Sequence, residues 1–385
     1  MSRIILNRKA TVPPLDYGDG EQSFISHQLR FRRPSLKRLA LSVVCAVLLI
    51  GIVSASWVGW KLYRDTAKVT GNSNPLQLLS VFTPVQLKQT NGRTSILLAG
   101  YSVDDAGHAG AALTDSIMVL SYDQKDKSAT IISIPRDLWV NIPGFGYSKI
   151  NAAYEDGQNE HFSQSGYPNG GMGLLEEVIQ QNFDIQFNYY TVIDYTAFEA
   201  AVDAVGGIDV NIQSPDSRGI YDPNIDYTTG GPLVNLTNGL HHLSGQQALD
   251  LARARGDAYG SYGFPQGDFN RTMYQQVMLL ALKDKASSTD IIANPLKIGK
   301  LADSIGNNVQ TDLKINEMET LYADSKKVSS SNIKTITLNN INGQNLLSDY
   351  LTSDGQQALI PSAGISDYTA IQSAINSLLA ISNNQ

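Results

Sequence analysis

The run Leu39–Trp60, "LALSVVCAVLLIGIVSASWVGW", limits the folding of this chain most, because its 22 residues carry no charged side chain. A helix of that length rises about 33 Å, enough to cross a hydrocarbon core of roughly 30 Å. The spacing predicts a transmembrane helix over 39–62. A cleaved signal peptide has a shorter apolar core and begins nearer the N-terminus, so a retained anchor is expected. Eight basic residues precede the run (Arg3, Arg8, Lys9, Arg30, Arg32, Arg33, Lys37 and Arg38), against three acidic ones (Asp16, Asp19 and Glu21). Positive charge stays on the cytoplasmic side. The chain should therefore divide into a cytoplasmic basic tail (1–38), the span (39–62), a juxtamembrane connector (63–90) and one extracytoplasmic domain (91–385), with Trp57, Trp60 and Tyr63 at the outer interface.

Beyond the tail, 21 basic residues face 33 acidic ones, a net charge of −12. Such a surface repels nucleic acid. The single cysteine, Cys45, lies inside the apolar run, so no disulfide, cysteine-ligated zinc or cysteine nucleophile serves the outer domain. Its stability has to come from a packed core.

Periodicity gives an α/β reading. "TSILLAG" (Thr94–Gly100) is a strand, and Asp115–Asp137 is a hairpin with a polar tip at Asp123–Lys127. "GMGLLEEVIQQNFD" spaces Leu174, Leu175, Val178 and Ile179 on one helical face, "FNYYTVID" is a strand, "TAFEAAVDAVGG" is a helix stopped by Gly206 and Gly207, and "IDVNI" is another strand. Ser244 should cap a helix through "GQQALDLA", and Asp268 or Asn270 one through "RTMYQQVMLLALKDKA". Further helices are expected at Pro295–Ser304, Asn316–Lys326 and Tyr368–Leu379, with a strand at Ile333–Leu338. The alternation predicts a mixed β-sheet between helices.

Only seven arginines follow the apolar run: Arg64, Arg93, Arg136, Arg218, Arg253, Arg255 and Arg271. In "IISIPRD", Pro135 ends a strand and leaves Arg136 and Asp137 at its exit. In "LDLARARGD", Arg253 and Arg255 fall on one side if the helix unwinds near Ala252. Arg271 stands in the first turn of a helix, where free amides already favour an anion, with Gln275 on its face. Converging guanidiniums suit a phosphate or diphosphate. The plainer alternative is that each pairs with a neighbouring acid such as Asp137, Asp257 or Asp268.

These stretches together resemble a known family. "TDSIMVLSYD", "IISIPRDLWVNIPGFGYSKINAAYEDG", "GLHHLSGQQALDLARARGD" and "GDFNRTMYQQ", in that order after one N-terminal anchor, are similar to the LytR-CpsA-Psr proteins, which transfer glycopolymers from a lipid carrier to bacterial peptidoglycan. The similarity is close over Ser95–Ser287 and looser over the last hundred residues. It implies an α/β fold with a long apolar pocket for a polyprenyl chain. It also implies a diphosphate site of Arg136, Arg253, Arg255 and Arg271, with Gln275 and Lys149 beside them, and Mg2+ or Mn2+ held in part by Asp115. The family's first metal-binding aspartate stands two residues after the glycine ending the first strand, where this chain has Ser102; Asp104 or Asp105 are the substitutes in the same loop. Where the family often has a further arginine, this chain has Tyr274.

The resemblance implies a membrane-anchored phosphotransferase that joins a polyprenyl-pyrophosphate-linked glycopolymer of teichoic-acid, capsular or other wall type to a peptidoglycan hydroxyl, with Asp137 as the proton acceptor. Two other activities stay open: hydrolysis of the lipid pyrophosphate, and non-catalytic binding of a lipid-linked polymer. Missing Asp at 102 favours the second, and the four arginines disfavour it. His241 and His242 are expected as turn and packing residues, Glu176 and Glu177 as a solvated helix edge, and Asn235-Leu236-Thr237 carries no weight as a glycosylation signal.

Overall fold

Apolar and β-branched runs without polar alternation mark strands covered on both faces, and the first strand fits that rule, with every residue from Arg93 to Ala99 buried. The computed structural model describes residues 85–101, 112–225, 229–288, 308–325, 327–328, 332–341 and 343–380. The tail, the expected span, most of the connector, Ser102, Asp104, Asp105 and the expected helix at Pro295–Ser304 lie outside these residues. Among the described residues no helix is long and apolar enough to cross a membrane.

In chain order the elements are strands β1 (Arg93–Tyr101), β2 (Thr114–Asp123), β3 (Ser128–Ile134), β4 (Trp139–Ile142) and β5 (Gly146–Lys149), then helices α1 (Ala152–Asn159) and α2 (Gly171–Phe183). Next come β6 (Tyr189–Ile193), α3 (Tyr195–Ala204), β7 (Ile208–Ile212), β8 (Ile220–Ile225), β9 (Pro232–Leu236), β10 (Gly239–Leu243), α4 (Gly245–Arg253) and α5 (Asp268–Ser288). The chain closes with β11 (Val309–Thr311), α6 (Ile315–Ser325), β12 (Ile333–Thr337), β13 (Asn340–Ile341), β14 (Gln344–Asn345), β15 (Leu347–Leu351), β16 (Gln357–Pro361) and α7 (Thr369–Ala380).

Eight strands form one sheet in the order β11-β6-β1-β2-β3-β12-β13-β14. β1 runs parallel to β6 and β3 to β12, while β1–β2 and β2–β3 are antiparallel, so the sheet is mixed as expected. Alternate residues feed two cores. Leu97, Ala99, Val119 and Ile132 pack with α1, α2 and α7, while Ile96, Leu98, Met118 and Leu120 face α5 and α6. A third cluster joins α3, α4 and α5 to β7–β10. Ser244 caps α4 through a reciprocal capping box with Gln247, as its sequence predicts. Asp268, by contrast, lies inside the first turn of α5 rather than capping it.

Two expectations need correcting. Glu176 and Glu177 are buried, at 6% and 5% exposure, rather than solvated. The loop after α1 folds over the outer side of α2, where Gln164 and Gln181 both donate to Glu177 Oε1 at 3.1 Å. Burial first, and Asp312 second, push the Glu176 carboxyl up to about 8. His241 and His242 stand in β10 rather than in a turn, paired against β7, and His242 Nδ1 lies 2.6 Å from Asp209 Oδ1 across the ladder.

Leu97 is fully buried in the central strand. Leu97→Ala should lower unfolding free energy by about 2–5 kcal/mol in a urea titration, whereas Leu351→Ala, at 68% exposure, should stay within about 0.5 kcal/mol of the parent.

Candidate active site

One end of the sheet gathers the carboxyl ends of β1, β3 and β6 with the start of the antiparallel β2. Carboxyl edges of this kind are where open α/β sheets form their sites. Strict alternation would send Asp115 into the α1–α2 core with Ile117 and Val119. It does not go there, because Gly100 pairs with Ser116 and Tyr101 with Thr114, leaving Asp115 as the extra residue of a bulge. The bulge turns its carboxylate toward the other side, where Tyr195 Oη donates to Oδ2 at 3.3 Å. Tyr195 is held there by the N-cap of α3, whose Asp194 side chain accepts from Ala197 N.

At the end of β3 a turn closes with Leu138 N donating to Pro135 O, and Asn151 N donates to Arg136 O. These bonds fix Arg136 at the strand exit, where its guanidinium pairs with Asp115 Oδ1. Asp268, at the start of α5, accepts three cations on a single oxygen: Arg271 Nη2 at 2.7 Å, and Arg136 Nε and Arg255 Nε each at 3.7 Å. Arg255 is positioned by its backbone. Arg255 N and Gly256 N donate to the buried Asp222 carboxylate at 3.0 and 2.8 Å. Arg253 ends α4, with its guanidinium 5.6 Å from the Tyr195 ring centroid, and Gln275 Nε2 donates to Ala252 O at 3.1 Å. The helix persists one residue beyond the expected unwinding, and Ala254 then turns extended.

Buried charges of both signs perturb one another across the cluster. Burial alone would raise the Asp115 carboxyl, but Arg136, Arg271 and Arg255 outweigh it and hold the group below the ordinary carboxylate range. Burial opposes charge on Arg136 too, and Asp115, Asp137 and Asp268 more than compensate. Arg271 is only 3% exposed, and burial, then repulsion from Arg136 and Arg255, pulls it down to about 10. It stays charged at neutral pH. The buried Nε atoms of Arg136 and Arg271 have no hydrogen-bond partner. An incoming anion would relieve both conditions.

Behind this cluster lies a cavity of about 390 Å³. Its mouth carries Asp115, Arg253, Arg255, Arg271 and Gln275, and its walls are apolar, including Leu98 and Met118 from the sheet, Phe198 from α3, and Met278 and Leu282 from α5. Asp137 and Lys149 form the rim outside it, joined by a 2.8 Å ion pair. The fold thus brings together Arg136, Asp137, Arg253, Arg255, Arg271, Lys149, Gln275 and Asp115; Asp104 lies outside the described residues. Three residues that organise the cluster escaped the sequence reading. Asp268 appears there only as a possible helix cap and as one of several possible acid partners, Asp222 and Tyr195 not at all, and no local motif marks the last two.

The apolar cavity thus opens onto three guanidiniums, of which that of Arg271 is buried and those of Arg253 and Arg255 are partly exposed. The chain belongs to the LytR_cpsA_psr family, which it matches over residues 60–360. It is 32% identical over 224 residues to "Regulatory protein MsrR" of Staphylococcus aureus, a match spanning 57% of this chain and 58% of that relative. It is 27% identical over 284 residues to "Polyisoprenyl-teichoic acid--peptidoglycan teichoic acid transferase TagU" of Enterococcus faecalis, covering 74% of this chain and 82% of TagU. Among solved structures, the family protein YwtF (TagT) with bound octaprenyl pyrophosphate lipid superposes with a TM-score of 0.52 at 22% identity, covering 78% of this chain and 96% of that one.

If Asp268 neutralises a cluster that otherwise wants an anion, Asp268→Asn should destabilise the protein by about 1–3 kcal/mol through the uncompensated Arg271. Inorganic pyrophosphate should then raise the melting temperature of the variant more than that of the parent in a thermal-shift titration. Equal shifts would mean that the ion does not enter the cluster.

Proposed function

We propose that this chain is a membrane-anchored phosphotransferase that moves a glycopolymer of teichoic-acid, capsular or other wall type from a polyprenyl pyrophosphate carrier to peptidoglycan. The observation that carries this reading is the apolar cavity opening directly onto Arg253, Arg255 and Arg271. The activity in TagU's name and the lipid bound to TagT support it. The N-terminal apolar run supports an anchor with the catalytic domain outside the cell.

In this reading the polyprenyl chain fills the cavity and the diphosphate lies among Arg136, Arg253, Arg255 and Arg271. The acceptor hydroxyl attacks the phosphorus that bears the sugar, a new O–P bond forms, and the bond to the lipid phosphate breaks. The guanidiniums stabilise charge as it shifts to the departing polyprenyl phosphate. Asp137, on the rim and paired with Lys149, receives the hydroxyl proton.

The described residues suit a hard divalent cation only in part. Asp115 offers a carboxylate at the mouth, but Arg136 and Tyr195 already engage its oxygens, and no group of three or more potential ligands stands among the described residues. A Mg2+ or Mn2+ ion would therefore be held by Asp115, with Asp104 as a second candidate, together with substrate oxygens. It would supply charge neutralisation at the diphosphate.

Mass spectrometry of the detergent-extracted protein should find a polyprenyl (pyro)phosphate. Arg253→Ala and Arg255→Ala should each weaken its binding by about 1.5–3 kcal/mol, while Arg218→Ala, which removes an exposed pair with Asp216 and a contact with the Tyr262 ring, both outside the cavity lining, should leave binding unchanged. Transfer to water alone, with no peptidoglycan product, would replace the transferase by a hydrolase. Calorimetry should show weak magnesium binding to the lipid-free protein and a site created by adding polyprenyl pyrophosphate, which Asp115→Ala removes. Tight binding without lipid would mean that the loop aspartates complete the site.

A further inference from the structure

The hairpin β4–β5 leads away from the arginine cluster and presents a face that nothing above uses. Its register pairs Trp139 with Lys149 and Asn141 with Tyr147, so these four side chains share one side. Val140 and Ile142 take the other side into the core, at 1% and 0% exposure. The outward face begins at Lys149, whose Nζ holds Asp137, and ends at Tyr147, which is 49% exposed. The turn beyond it carries Phe145, 44% exposed. β16 extends this layer through a bridge between Leu138 and Leu359, with Leu359 N donating to Asp137 O at 2.9 Å. Its partner β15 brings the Tyr350 ring to 6.4 Å from that of Trp139. Tyr147 is not loose. Its hydroxyl lies 2.6 Å from Ser366 Oγ, which holds the ring at the surface.

Single exposed aromatics are ordinary. Here they are held in place, they alternate with the amide of Asn141, and they lie on the strand pair that ends at the proposed proton acceptor. A pyranose ring has an apolar C–H face and a hydroxyl rim, which suits aromatic rings beside amide and hydroxyl groups. The face carries one charge, Lys149, so it suits a neutral saccharide. No residue of β4 or β5 lines the lipid cavity. A nucleophile in line with the departing lipid phosphate has to enter from the side away from that cavity, and the hairpin occupies a rim outside it.

We propose that the outward face of β4–β5 is the subsite for the acceptor glycan, with Tyr147 and Trp139 stacking on successive sugar rings and Asn141 bonding their hydroxyls, so that the strand is led to Asp137. The acceptor role rests on the transferase reading above; the saccharide affinity does not.

The test uses the full-length protein in detergent and chitohexaose, the β-1,4-linked N-acetylglucosamine hexamer, as probe. Calorimetry should show binding that Tyr147→Ala weakens by about tenfold or more through loss of the stacking ring, while Tyr147→Phe keeps the ring and most of the affinity. Polyprenyl pyrophosphate binding should be the same in all three proteins. In a transfer assay Tyr147→Ala should raise KM for peptidoglycan strands and leave kcat and the donor KM unchanged. Absence of hexamer binding by the parent, or equal binding by Tyr147→Ala, overturns the proposal. A raised donor KM overturns it as well, by assigning the face to the donor polymer. Hexamer binding lost in Tyr147→Ala by a protein with no transferase activity would sink the transferase reading and sustain the saccharide site.

Discussion

Arg136, Arg255 and Arg271 reach the same carboxylate oxygen of Asp268, and the surrounding fold is organised to hold that concentration of like charge. Two guanidiniums sharing one oxygen sit within roughly 7 Å of each other, where repulsion at an effective dielectric of about 20 is on the order of 2 kcal/mol. A flexible surface would disperse them. Here each is fixed from a different direction: Arg136 by the turn after Pro135, Arg255 by the backbone bonds to buried Asp222, and Arg271 by the first turn of α5. Asp268 and Asp115 offset part of the repulsion, and the positive end of α5 adds to it. On the transferase reading, the partner that suits such a site is an anion with several oxygens.

The apolar cavity makes that charge more effective. Its walls include residues of β1, β2, α3 and α5 that also build two of the cores, so the space between the sheet and α3–α5 persists because closing it would require moving Leu98 and Met118 of the sheet against Met278 and Leu282 of α5. Interiors resist such continuous deformation. Charges beside a low-dielectric wall interact more strongly than charges in water, so on the transferase reading a diphosphate carrying an apolar tail would gain at both ends. A free phosphate would gain only at one.

Much of this fold is legible in the residues. β1–β3, β6, β7 and α2–α5 follow from apolar runs, capping residues and turn glycines, and the motifs led to the family directly, whereas the short strands β4, β5 and β8–β10 and helix α1 were not read from the residues. What was not legible depends on three dimensions. Asp115 reaches the site only because of a bulge, and a bulge is one extra residue that no periodicity announces in "LTDSIMVL". Asp222 acts through a backbone contact more than thirty residues away. Glu176 and Glu177 read as an outer helical face because what meets them comes from outside their helix: Gln164 of the α1–α2 loop donates to Glu177, and Asp312, far along the chain, lies close to Glu176. Asp268 was visible as an acid near an arginine, but its sharing among three was not.

The carboxylates at the site differ in what can reach them. Asp115 is 7% exposed on its side chain, engaged by Arg136 and Tyr195, and aimed at the cavity mouth. Asp137 is 26% exposed, outside the cavity lining, and held by Lys149 from the strand that carries Tyr147. On the transferase reading that division separates two tasks that would interfere in one group. A carboxylate locked in an ion pair beside the diphosphate is a poor proton acceptor, since protonating it would also break the pair with Arg136 and leave a buried guanidinium without its partner. A carboxylate on the rim, held closely by Lys149 and more distantly by Arg136 at 3.7 Å, can take a proton while Asp115 and Asp268 keep their pairs with Arg136.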